Sequence, residues 1–200
     1  MAKLKLTKNE LKNQKDALKM FQRYLPTLQL KKQQLQAEIR GVEQRVKELR
    51  QKKQLIDESF KSWIGVFGEK DVFIPSILKI TKILTGVGNI AGVEIPIFNG
   101  AEFEIEEYSF IKKPLWLDFA VESMKKVLSI DLEAKIMEEQ QLLLERELRT
   151  TSQRVNLFEK IKIPESKGNI KKIQVFLGDQ QTAAVVRGKI SKEKKERATT

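Results

Sequence analysis

From Leu11 to Trp63 the chain repeats apolar positions at alternating intervals of three and four residues without losing phase, and few folds admit that pattern. The core positions of the seven-residue repeat begin Leu11, Gln14, Leu18, Phe21, Leu25 and Leu28. They run through Lys32, Leu35, Ile39, Val42, Val46, Leu49, Lys53, Ile56 and Phe60 to Trp63. Thirteen of these sixteen are apolar and the residues between them are mostly Lys, Arg, Glu and Gln, which is what a coiled-coil seam with solvated flanks requires. With a rise of 1.5 Å per residue such a helix is about 80 Å long, more than a compact domain of this size is wide. The sequence therefore predicts a helix that needs a partner helix.

The partner is readable after Pro114. Ala120, Ser123, Val127, Ile130, Ala134, Met137, Gln141, Leu144, Leu148, Thr151, Val155 and Phe158 follow the same three-and-four spacing. A chain that returns to its start makes the two helices antiparallel. The fold class expected is mainly α: a long antiparallel two-helix coiled coil with a small central β-hairpin or β-meander insert, divided as residues 1–68, 69–113 and 114–200. Thr7 or Asn9 is placed to cap the first helix. Pro26 removes a donor and crowds the preceding turn, which costs a helix interior about 3 kcal/mol. The seam keeps its phase on both sides of it, so a kink is expected and not a break; Gly41 is a lesser flaw. The first helix is expected to fray after Trp63, and the second to be interrupted at Pro164, with Ile170, Ile173, Phe176 and Leu177 forming a further short amphipathic segment.

Between the helices the period drops to two. Leu78 to Thr81 alternates, Gly86 to Asn89 reads as a turn, and Ile90 to Phe98 reads as a strand. Asn99-Gly100 then reads as a hairpin turn leading into Glu102–Glu106. A loop one residue longer than the minimum sets Ile97 against Phe103 and Ile95 against Ile105, which keeps the apolar residues on one face. Pro96 cannot donate to a ladder and marks an edge strand.

Zero cysteines and zero histidines remove disulfides, thiolate metal sites, and the commonest general base and metal ligand. No catalytic residue, cofactor or metal site is expected. Gly86, Gly88 and Gly92 do not match a dinucleotide or Walker loop; Glu138-Glu139 and Glu106-Glu107 are neighbours that point apart. Lys32 and Lys53, at seam positions, either set register or make functional contacts; long lysines usually snorkel out of such seams, so the structural role is the one expected. With no run of eighteen apolar residues and no charged-then-apolar leader, the expectation is a cytoplasmic chain without direct membrane insertion.

The net charge of +11 is uneven: residues 1–63 carry 16 Lys/Arg against 7 Asp/Glu, residues 64–114 carry 5 against 7, and residues 115–200 carry 17 against 13. Antiparallel helices bring Lys3, Lys5, Lys8 and Lys12 to the same end as Lys189, Lys192, Lys194 and Lys195. This end is either a contact surface or a pair of solvated termini. A second candidate surface is the stripe Leu117, Val121, Met124, Leu128, Leu132 and Ile136, which one antiparallel partner does not cover. Either the β insert packs on it, or Met124 and Leu128 belong to a docking face.

Three function classes fit these features: a rod transmitting force or position between partners, a prefoldin-like coiled-coil chaperone subunit, and a basic coiled-coil nucleic-acid-binding protein. The last is disfavoured because the tail from Arg187 onward has no aromatics among its basic residues. At the end of the second helix, Glu147-Leu148-Arg149-Thr150-Thr151-Ser152-Gln153-Arg154-Val155-Asn156-Leu157-Phe158-Glu159, followed by Ile163-Pro164, resembles a signature of the D subunit of V-type and archaeal-type ATPases. Asn89-Ile90-Ala91-Gly92-Val93-Glu94-Ile95-Pro96 is similar to that family's central segment, and Leu28-Gln29-Leu30-Lys31-Lys32 to its early one. Pro26 and the stretch Gly178 to Lys189 depart from the family pattern. The resemblance implies a noncatalytic central-stalk axle, or rotor shaft, that couples ATP turnover to proton or sodium transport. It implies as partners the A and B subunits of the catalytic hexamer, the F subunit of the central stalk, and the subunit capping the membrane ring. No nucleic acid is expected as a partner.

Overall fold

The computed structural model describes residues 4–61, 77–106 and 116–199. Its elements are α1 (Lys8–Lys61), β1 (Leu78–Ile90), β2 (Val93–Ile105), α2 (Trp116–Asn156), a π-helical turn (Leu157–Lys162) and α3 (Ile163–Thr199). The fold is mainly α, an antiparallel two-helix coiled coil with a small central hairpin, as the repeat predicts. The residues group into two units, 1–31 with 150–200, and 32–149. Trp63, the expected fraying after it, and Lys3 lie outside the described residues.

Thr7 is the cap of α1: its Oγ1 accepts from the Glu10 N–H at 3.3 Å, satisfying one of the donors a helix start leaves open. Every seam position of α1 from Leu11 to Phe60 is buried or half-buried, so the heptad frame holds throughout the described helix. The helix runs through Pro26 without a break.

In the unit of residues 32–149, Leu35, Ile39, Val42 and Val46 of α1 close on Leu144 of α2 and on Ile95 of the hairpin. Cross-helix pairs show the antiparallel sense: Gln141 donates to Glu43, Arg50 to Glu138, and Lys53 to Asp131. Near the start of α2, Leu117 and Val121 are buried with Ile77, which is joined by Leu78 and Trp116. The β insert therefore covers one end of the extra stripe, while Met124, Leu128 and Leu132 stay half-buried.

The hairpin corrects the sequence reading. Its turn is Ala91-Gly92, with Ile90 paired to Val93, and not Asn99-Gly100. Ala91 at φ 52° and Gly92 at φ 79° give the two successive positive φ values of a tight hairpin turn. Asn89 Oδ1 accepts from the Gly92 N–H at 2.9 Å and holds it closed. Gly86 and Gly88, expected in a turn, lie inside β1 opposite Ile97 and Ile95. A Cβ at Gly88 would come within 2.6 Å of Ile97 Cδ1, and one at Gly86 within 2.9 Å of Asn99 Nδ2. These glycines make room for the facing strand. Asn99-Gly100 sits at an irregularity of the ladder, where Leu84 pairs with Gly100 and Thr85 with Phe98. Ile97 thus faces Gly86 and Ile95 faces Gly88; the expected pairings with Phe103 and Ile105 do not form, because those residues pair with Ile80 and Leu78.

In the unit of residues 1–31 and 150–200, Phe21 of α1 meets Phe158 with ring centroids 5.1 Å apart, and Asn169 approaches Gln14. Pro164 does not interrupt the helix as expected. The turn before it widens, and the Ile163 N–H bonds to the Phe158 carbonyl, five residues back. A wider turn accommodates a residue that has no N–H and crowds the carbonyl four positions earlier. The extra residue shifts the seam. An unshifted frame would bury Glu165 and Lys172, yet both are exposed and Ser166 and Ile173 are buried instead. Ile170, Phe176 and Leu177 are half-buried in the same continuous α3.

Candidate partner-binding surfaces

Among the described residues no group of three or more metal-ligating side chains converges, and no helix is long and apolar enough to cross a membrane.

Lys189, Lys192, Lys194 and Lys195 are all exposed on the last turns of α3. From Gly178 to Arg197 every α3 residue is exposed. Lys192 makes a long i,i+4 pair with Glu196, at 3.8 Å. Lys5, just ahead of α1, and Lys8, at its start, are exposed. Between them, Leu6 lines a groove with Gly168, Lys171, Lys172, Val175, Phe176 and Asp179. The segment that carries Lys5 and Lys8 thus lies beside Lys171 and Lys172. The later lysines begin ten residues beyond Asp179, about 15 Å further along the helix. The termini share an end, but their charges form two groups spread along α3 and not one cluster. Lys171 and Lys172 have no signal of their own in the sequence; what marks them is proximity to the N-terminus, which only the register of α3 reveals.

Met124 and Leu128 are half-buried on α2, past the part of the stripe that Ile77 covers. On the same helix Asp131 centres an ionic cluster, where the sequence shows an unpartnered seam lysine, Lys53, with a structural role expected. Lys53 Nζ lies 2.6 Å from Asp131 Oδ1, and Lys135 Nζ lies 2.9 Å from Asp131 Oδ2. One turn away Arg50 pairs with Glu138. The hydrogen bond from Lys53, then that from Lys135, holds the Asp131 carboxyl below its ordinary range, and the bond to Asp131 raises the Lys53 ammonium above its own. Both side chains remain about a third exposed, 37% and 31%. Lys53 therefore serves as a cross-helix tie. Lys32, the other seam lysine, is half-buried in α1. Gln140, buried on α2, donates to the Pro96 carbonyl and ties the hairpin to the helix. The exposed Glu122 carboxyl is lowered by its hydrogen bond with Lys126 on the same helix.

Nearly the whole chain has counterparts among known proteins. Residues 10–193 match the family model for the D subunit of ATP synthase. The V-type ATP synthase D subunit of Borreliella burgdorferi is 54% identical over 192 residues, covering 96% of this chain and 95% of that one. The protein of the same name from Chlamydia trachomatis serovar L2 is 36% identical over 200 residues, covering 96% of each chain. That of Chlamydia caviae is 34% identical over 196 residues, covering 96% of this chain and 94% of that one.

Proposed function

We propose, since the chain belongs to the ATP synthase D subunit family, that it is the noncatalytic axle of a V-type ATP synthase. In this reading ATP is made or hydrolysed on the A and B subunits of a hexamer, and the chain carries torque between them and an ion-translocating membrane ring. The F subunit and the ring-capping subunit are its partners lower on the stalk. The chain works on the cytoplasmic side, held to the membrane through the complex.

The observation that carries this reading is the antiparallel seam. Within each unit the facing helices withdraw their core positions from water and turn Lys, Arg, Glu and Gln outward. A pair of helices resists twisting only if neither rotates about its own axis, and interdigitated seam residues oppose that rotation. Cross-helix pairs at Lys53–Asp131 and Arg50–Glu138 add fixed points. Met124, Leu128 and the lysines at 3, 5, 8, 189, 192, 194 and 195 are the proposed contacts with neighbouring subunits.

The test is affinity capture of the tagged full chain from native membranes. Recovery of the A and B subunits together with the F subunit supports the axle. Recovery of a hexamer of small coiled-coil proteins, or of RNA, without ATPase subunits would replace it with a chaperone or nucleic-acid role.

A further inference from the structure

The face around the π-helical turn carries apolar surface that the seam does not use. Met20 and Tyr24 of α1 are 47% and 54% exposed, and Leu157 and Ile161 of the widened turn 40% and 53%. Met20, Tyr24 and Leu157 each precede a seam position by one residue, Phe21, Leu25 and Phe158, and Ile161 lies one turn on from Leu157 within the widened turn. All four are therefore rotated to the same side of their own helices. In an antiparallel pair, related by a two-fold axis across it, equal rotation puts residues of both helices on one flank. The contact of Phe21 with Phe158 puts them at one level. The result is one patch, on the order of a few hundred Å², the size at which exposed apolar surface on a single chain is often functional.

Its surroundings define the occupant. Lys19 and Arg23 flank it on α1, with Arg154 and Lys160 on the other helix. The unit of residues 1–31 and 150–200 holds 20 Lys/Arg against 7 Asp/Glu, so most of its cations have no carboxylate of the unit to neutralise them. A second copy would bring like charge to like charge. An acidic surface would be drawn to it.

We propose that Met20, Tyr24, Leu157 and Ile161 form a docking site for a protein partner that presents an apolar projection within an acidic rim. Resting on the axle reading, that partner is a neighbouring subunit of the complex. Tyr24 is the anchor, because a half-exposed aromatic offers large contact area with a polar tip at little entropic cost. Leu157 and Ile161 both belong to the π-helical turn, so the site sits where the seam shifts phase.

The test is assembly of the full chain with the purified remaining subunits at near-physiological salt. One variant carries Tyr24→Ser, Leu157→Ser and Ile161→Ser; a second leaves the apolar residues intact and carries Lys19→Glu, Arg23→Glu and Lys160→Glu. With helix content unchanged, assembly of each should weaken roughly tenfold or more. The charge-reversed variant should also lose the wild type's decline of affinity with salt. Wild-type assembly with both variants undiminished would overturn the docking site and leave the axle standing. Failure of the wild type to assemble would overturn both. Duplex DNA binding that both variants lose, with assembly unaffected, would make nucleic acid the occupant and overturn the acidic-partner assignment.

Discussion

Leu144 and Leu142 sit two residues apart on α2 and offer the same chemical change in opposite surroundings. Leu144 is fully buried among Leu35, Ile39, Val42, Val46 and Ile95, whereas Leu142 is 54% exposed. Truncating Leu144 to alanine removes three carbons, and at about 0.8 kcal/mol per buried CH₂ the transfer loss is roughly 2.4 kcal/mol. Its neighbours come from both helices and the hairpin, so they cannot all collapse inward. Residual void raises the expected loss to about 3–4 kcal/mol, within the range for such sites. Leu142→Ala loses only part of a burial and gains helix propensity, so about 0.5 kcal/mol or less is expected. Urea denaturation followed by helical circular dichroism, with a common slope, measures both. A difference under about 1 kcal/mol would refute the claim that this seam layer, and not general helix propensity, holds the unit together.

The tie at Asp131 has a defined pH window. Its carboxyl lies below the ordinary 3.8, so its contribution is present above that value and lost as pH falls through the lower folded value; that of Lys53 is present below 10.5 and lost as pH rises through its raised value. Asp131→Asn should therefore destabilise near neutral pH by about 1 kcal/mol or less, given the exposure, and have no effect in strong acid, as thermal unfolding across pH will report. Met124→Glu with Leu128→Glu should weaken binding of a neighbouring subunit while helix content holds. Leu144→Glu should lose the fold, and equal loss from both would make the stripe core. Neutralising Lys189, Lys192, Lys194 and Lys195 together with Lys3, Lys5 and Lys8 should reduce coupling in a reconstituted complex. Each charge alone should contribute about 1 kcal/mol or less, so single variants should remain near wild type.

The α1 seam is legible in the sequence because burial there follows a local period, and residues Leu35, Ile39, Val42, Val46 and Leu49 need only one facing surface to be buried. Thr7 is legible because a cap acts within its own turn. The hairpin turn is not: Asn99-Gly100 has the stronger local turn chemistry, and Ala91-Gly92 wins because it lets twelve residue pairs form across β1 and β2. That is a property of two strands together. The shift of the seam at Pro164 is hidden for a related reason, since a widened turn leaves no composition signal and shows only in Ser166 and Ile173 replacing Glu165 and Lys172. Among the candidate surfaces, the lysines read as one cluster because helix direction is visible in the sequence but the overhang of α3 past α1 is not. Lys53 stands out as an anomaly in the seam, while its partner Asp131 requires the antiparallel register.

The axle claim is tested most directly by stopping the axle. The chain has no cysteine, so a substitution at an exposed α3 position such as Lys189→Cys, opposite a single cysteine in an otherwise cysteine-free hexamer, gives a defined disulfide. If the chain is an axle, oxidation abolishes multiple-turnover ATP hydrolysis in the assembled complex and reduction restores it, because a shaft fixed to one of three equivalent interfaces cannot turn. Full hydrolysis and full ion pumping with the disulfide quantitatively formed would rule out a rotating axle.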